Sequence, residues 1–116
     1  VLSLHPRVTP ETTNMINADT LRQMKRGAYF VNTARGPLVD YEALYESLAS
    51  GHLRGAMLET FGVEPVPADW PLLKLPNVTL TPHIAGASVK TVRYAAGLAA
   101  EEVRRFLDGE PPLNRC

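Results

Sequence analysis

Four side chains in this sequence are of types that could do acid–base and anion chemistry together: Arg35, Glu59, Glu64 and His83. An imidazole, with an ordinary pKa of about 6.5, can both give and take a proton near neutral pH. A carboxylate beside an imidazole favours its charged form and fixes its orientation. A guanidinium offers a rigid fork that matches a substrate carboxylate. Proton exchange with an alcohol or carbonyl, on a substrate gripped by its acid group, is the chemistry such a trio would perform. Each residue also has a plainer reading. Arg35 could pair with a local carboxylate, and His83 could be a turn histidine.

For these residues to meet, the chain must carry them to one place. Ala28–Val31 is an apolar and aromatic run that reads as a strand buried on both faces. Asn32 and Thr33 follow, then Arg35, and Gly36-Pro37 breaks the ladder because proline has no N–H and glycine tolerates the turn. Asp40 is a suitable N-cap for a helix over 41–50, with Leu44 and Leu48 on one face and Gly51 at its end. Arg35 thus stands at the carboxyl end of a strand, where ligands bind in open α/β sheets.

The remaining elements fit the same scheme. Val1–Leu4 reads as a short buried strand, followed by a threonine-rich loop. Asn17 or Asp19 caps a short helix holding Leu21 and Met24, closed by Gly27. Residues 54–59 read as the next buried strand. Residues 61–77 hold Pro65, Pro67, Pro71 and Pro76, which leaves room for little beyond one turn near Trp70–Leu73. A loop of that length in a small domain points to function. Residues 78–81 form a last strand stopped by Pro82, and Ser88 caps a helix over 88–108 whose apolar residues recur at three and four. Alternating strands and helices predict a parallel sheet with helical crossovers, delivering Arg35, Glu59/Glu64 and His83 to one edge. His52 reads as an exposed turn histidine, and Tyr41, Tyr45 and Tyr94 as helix packing.

Twelve Lys and Arg balance twelve Asp and Glu, so no net field argues for nucleic acid or a membrane surface. No apolar run reaches the roughly 20 residues a spanning helix needs. Cys116 is the only cysteine, which excludes a disulfide framework or a thiolate metal cluster and makes a reducing, cytoplasmic setting the expectation. The start at Val1, inside a strand, suggests a piece of a longer protein.

Three segments carry a resemblance: Asn32-Thr33-Ala34-Arg35-Gly36, then Leu58-Glu59-Thr60-Phe61 with Glu64-Pro65, then Thr81-Pro82-His83-Ile84-Ala85-Gly86. With Leu4-His5 and Thr9-Pro10-Glu11-Thr12, the sequence resembles the D-isomer-specific 2-hydroxyacid dehydrogenase family. The resemblance implies an α/β, Rossmann-type parallel sheet: residues 1–116 as the second half of a doubly wound NAD(P)-binding domain, with the 88–108 helix leading back to a further domain. It implies that Arg35 binds the substrate carboxylate, that His83 is the acid/base and that Glu64 is its partner. Pro6, Thr33, Ala34 and Arg35 would meet NAD or NADP, as would Glu59, His83, Ile84, Ala85 and Gly86. The parent would be a homodimer acting on a small 2-hydroxy or 2-keto acid, with no nucleic acid, membrane or metal, and residues 1–116 alone would be inactive.

Two positions depart from the family pattern. Glu59 replaces the usual Asp and reaches one methylene further. Pro6 follows His5 directly, so Arg7 occupies the place where the family tends to have proline, near the adenosine half of a cofactor; a solvated loop arginine is its plainer reading. The sequence holds no G-x-G-x-x-G phosphate turn and no acidic ribose partner after one. An alternative from another class is a dinucleotide-sensing binding or corepressor-like module of the same fold without metabolic turnover.

Overall fold

Four parallel strands lie side by side in chain order in the computed structural model: β1 (Leu2–Leu4), β2 (Tyr29–Asn32), β3 (Gly55–Leu58) and β4 (Val78–Leu80). Helices α1 (Ala18–Gln23) and α2 (Tyr41–Ala49) fall within the first two crossovers, and single 3-10 turns sit at Gly36–Leu38 and Pro71–Lys74. The parallel, helix-crossed sheet expected from the sequence is present, with a Rossmann-type connectivity. Residues 1–113 are described; Cys116 lies outside them. They fall into two units, Val1–His83 and a second beginning at Ile84.

The register sets the site. Leu4 pairs with Asn32, Asn32 with Leu58, and Leu58 with Leu80. One row of residues therefore marks the carboxyl edge of the sheet, and the loops carrying Arg7, Arg35, Glu64 and His83 all leave from it.

Burial is one-sided. Phe30, Asn32, Ala56 and Leu58 point to a core completed by Leu21 of α1, Leu44 and Leu48 of α2, and Leu38, Leu53 and Leu72. On the opposite face Tyr29, Ser3 and Thr79 are exposed and Val31 and Met57 only half-buried. This corrects the expectation of strands buried on both faces. A run of four apolar residues looks alike whether one or both faces are covered. Val1–Leu4 is likewise not a buried strand: it is the sheet edge, and only Leu4 is buried.

Local chemistry explains the helix ends. The Asn17 amide oxygen accepts from the Asp19 and Thr20 N–H groups, while the Thr20 hydroxyl accepts from the Asn17 N–H, a reciprocal cap. Helix α1 stops at Met24, before Gly27, which lies in the following turn. The Asp40 carboxylate accepts from the Glu42 and Ala43 N–H groups, and Gly51 takes the left-handed conformation (φ +69) after α2. His52 is half-buried rather than exposed, with Nε2 3.0 Å from the Leu21 carbonyl, tying the end of α1 to the turn after α2.

The second unit is the helix α3 (Val89–Leu107), capped by Ser88, whose hydroxyl accepts from the Thr91 N–H. Its expected span holds, but none of its residues is buried. Against the expectation of packing, Tyr94 is exposed among the described residues, and Phe106 is 82% exposed. Its last turn is knitted by charge: Arg104 pairs with Glu101, Asp108 and Glu110.

Candidate active site

Arg35 arrives on a loop that β2 itself holds in shape. Asn32, the last strand residue, is fully buried; its amide nitrogen donates to the Arg35 carbonyl and its amide oxygen accepts from the Ala34 N–H, both at 3.0 Å. A buried amide with both ends satisfied is a strong local determinant. Gly36 follows because there is no room for a side chain: a Cβ there would fall 1.9 Å from the Phe61 carbonyl oxygen. This replaces the turn-tolerance reading of that glycine. The Arg35 guanidinium is exposed, donates through Nη1 to the Ala34 carbonyl at 2.7 Å, and has no ion pair among the described residues.

Glu64 sits on the loop after β3. Its Oε1 accepts from the Phe61 N–H at 2.9 Å, and an aromatic clamp braces the loop: Trp70 meets Tyr41 and Phe61 edge-on, with ring centres 5.3 and 5.9 Å apart. Tyr41 also donates its hydroxyl to the Thr60 carbonyl at 3.0 Å, and burial pushes its phenol up to about 12.

His83 closes the site. Its backbone is in the left-handed region (φ +53), uncommon for a residue with a side chain, and its N–H donates to the Thr81 carbonyl. Nδ1 lies 2.9 Å from Glu64 Oε2 and 3.1 Å from Oε1. That hydrogen bond, then the one from the Phe61 N–H, hold the Glu64 carboxyl below its ordinary range. Partial desolvation works against them, and the charges of His83 and Arg35 add to the lowering. Glu59 takes a different position. It is 4% exposed, and its carboxylate accepts from the Thr81 hydroxyl, fastening the ends of β3 and β4.

Two cavities flank these groups. One of about 380 Å³ is lined by Phe61, Val66, Leu80 and Thr81 with Glu64 and His83 at its polar side. The other, about 670 Å³, lies beyond the ends of β1 and β2 and brings together Pro6, Arg7, Thr33, Ala34 and Arg35. Pro6, far in sequence from the adjacent Thr33 and Ala34, thus shares one cleft with them. Ile84, Ala85 and Gly86 begin the second unit, where the Ala87 N–H donates to the Ile84 carbonyl in the turn before α3.

Residues 1–85 match the family described as D-isomer specific 2-hydroxyacid dehydrogenase, NAD binding domain. The chain belongs to that family. Among its relatives, the glyoxylate reductase of Korarchaeum cryptofilum is 50% identical over 113 residues, covering 97% of this chain and 34% of that protein. The glyoxylate reductase of Thermofilum pendens is 46% identical, covering 97% of this chain and 33% of that protein. The chain therefore spans about a third of the length of the curated relatives it matches. The crystal structure of a D-isomer specific 2-hydroxyacid dehydrogenase from Xanthobacter autotrophicus Py2 in complex with NADPH and MES superposes with a TM-score of 0.88 at 45% identity. It covers 98% of this chain and 46% of that one. D-mandelate dehydrogenase of Rhodotorula graminis gives 0.90 at 34% identity, covering 98% of this chain and 33% of that one. As a member of the 2-hydroxyacid dehydrogenase family, the chain has its first two motif segments, and Thr81-Pro82-His83 of the third, at the carboxyl edge of the sheet. Among its described residues no helix is long and apolar enough to cross a membrane.

Asn32 and Thr60 carry no role in the sequence beyond their places in the motif segments, and Tyr41 reads there as helix packing. The available signal was Asn32, a polar residue ending an apolar strand; nothing local marks the contact between Tyr41 and Thr60.

Proposed function

We propose that the protein carrying this chain is an NAD(P)-dependent oxidoreductase that interconverts a D-2-hydroxy acid and its 2-keto acid, with His83, Glu64 and Arg35 as its acid–base and carboxylate-binding groups. The observation that carries this reading is the His83–Glu64 pair. With Nδ1 held against an ionised carboxylate, Nε2 is the ring nitrogen left to exchange a proton, and the ring orientation is fixed. In reduction the protonated ring donates from Nε2 to the developing alkoxide oxygen; in oxidation the neutral ring accepts the hydroxyl proton there. The Arg35 guanidinium, free of any ion pair among the described residues, grips the substrate carboxylate. A bound nicotinamide dinucleotide supplies or takes the hydride. The donor set of the larger cleft suits such a group: Pro6 and Ala34 offer apolar wall, and Thr33 a hydroxyl. The same reading takes Glu59, Ile84, Ala85 and Gly86 as further cofactor neighbours, and the parent as a cytoplasmic homodimer.

The test is oxidation of NADH or NADPH by the purified protein with a panel of 2-keto acids, including glyoxylate, hydroxypyruvate and pyruvate. Turnover that His83→Ala abolishes supports the reading. Dinucleotide binding with no turnover of any 2-keto acid would instead favour the sensing module.

A further inference from the structure

The larger cleft holds more positive charge than a keto acid can use. Arg7 and Arg35 line the same cavity of about 670 Å³, and no Asp or Glu is among its lining residues. The Arg7 side chain makes no hydrogen bond or ion pair among the described residues, whereas Arg35 acts on Glu64 by charge across the neighbouring loop without a direct ion pair there. Two arginines lining one cleft with no carboxylate in its wall raise its potential, an arrangement suited to an anion with charge at more than one point. The loop that carries Arg7 is fixed in advance. The Thr12 hydroxyl donates to the Arg7 carbonyl at 2.8 Å and accepts from the Thr9 N–H at 2.7 Å, and the Thr13 N–H donates to the Thr9 carbonyl at 3.0 Å. Such a loop presents Arg7 at little ordering cost. The cavity is also within the usual range for small-ligand sites, about 300–1,000 Å³, and far roomier than a two- or three-carbon acid requires.

We propose that Arg7 is a second anion-binding residue of this site, taking a phosphate oxygen of the ligand while Arg35 takes the substrate carboxylate. The inference rests on the dinucleotide-dependent reading above. The phosphate has two chemical sources, a phosphate of the dinucleotide or a phosphorylated 2-keto acid, and Arg7 serves either through the same fork of N–H donors.

The experiment compares wild type, Arg7→Gln and Arg7→Lys in the protein carrying this chain. Kd is measured for NADH and NADPH, and KM for 3-phosphohydroxypyruvate and hydroxypyruvate, each at low and high salt. Arg7→Gln is expected to weaken a phosphate-bearing ligand about tenfold, the usual worth of a charge-assisted hydrogen bond. Arg7→Lys should lose less, and the difference should shrink at high salt, where exposed charges are screened. Equal loss for NADH and NADPH assigns the contact to the pyrophosphate, loss for NADPH alone to the 2′-phosphate, and loss confined to the phosphorylated keto acid to the substrate. All constants within twofold of wild type at low salt would overturn the proposal. If wild type binds no dinucleotide, the function reading fails separately, and inorganic pyrophosphate becomes the probe. Shifts of the Thr33 and Ala34 amide resonances in wild type but not in Arg7→Gln keep Arg7 as an anion site; no shifts in wild type overturn it.

Discussion

The backbone of Gly36 runs so close to that of Phe61 that a Cβ on Gly36 would lie 1.9 Å from the Phe61 carbonyl oxygen and 2.5 Å from the Gly62 nitrogen. This contact joins the loop carrying Arg35 to the loop carrying Glu64, and no flexible side chain is available to yield. Gly36→Ala is expected to displace one loop or the other, with a stability loss of about 1–3 kcal/mol, the usual cost of overpacking. Thermal unfolding measures the loss, and KM for the keto acid should rise with it as Arg35 moves. An unchanged melting temperature would show that the loops separate freely.

Asn32 is the other determinant of the Arg35 loop. Asn32→Ala leaves the Ala34 N–H and the Arg35 carbonyl without their buried partner and should cost about 1–3 kcal/mol. Denaturant unfolding checks this. The effect on KM for the keto acid should exceed that on KM for the cofactor if Arg35, carried by this loop, holds the substrate carboxylate as proposed.

Thr60 offers a contrast. It is 1% exposed, and its hydroxyl has no hydrogen-bond partner among the described residues. Thr60→Val removes a buried, unsatisfied polar atom at nearly constant shape, so stability should hold or rise by about 1 kcal/mol. A marked loss in denaturant unfolding would mean that the hydroxyl is satisfied in solution.

Tyr41 ties stability to alkaline pH. Its folded pKa is raised to about 12, so its contribution is complete below the ordinary tyrosine value and fades as pH climbs towards 12. Wild type should therefore lose stability above pH of about 10 more steeply than Tyr41→Phe. Parallel stability curves for the two proteins would contradict the burial of this phenol.

Much of this architecture was legible because it rests on local chemistry. Asp40, Asn17 and Ser88 announced their helices by their own hydrogen bonds, and the turn at Pro71–Lys74 appeared where Trp70–Leu73 had suggested one. The contact of Glu64 with His83, beside the loop that carries Arg35, was legible from parallel topology, since every strand end reaches the same edge. What stayed hidden depends on neighbours distant in sequence. Gly36 reads as a turn glycine until Phe61 is beside it, and Tyr41 as packing until the Thr60 carbonyl accepts its proton. The apolar spacing of α3 marked a helix without saying that its side chains would be unburied in this chain.

The lowered pKa of Glu64 has a direct consequence. A carboxyl whose folded pKa is depressed contributes stability above its unfolded value and loses it as pH falls through the folded one. The pair with His83 therefore persists until distinctly acid pH. In a carbon NMR titration the Glu64 carboxyl should titrate below the ordinary glutamate value of about 4.3, and His83→Ala should move it up. A midpoint unmoved by His83→Ala would contradict the pair.

Chemical rescue reports on whether His83 exchanges the substrate proton. In the protein carrying this chain, kcat for 2-keto acid reduction is measured for wild type and His83→Ala, with and without added imidazole. A fall of about 10²–10⁴ in kcat with little change in cofactor affinity is expected, with partial recovery that grows with imidazole concentration. A His83→Ala protein that turns over within a few-fold of wild type and does not respond to imidazole would contradict it.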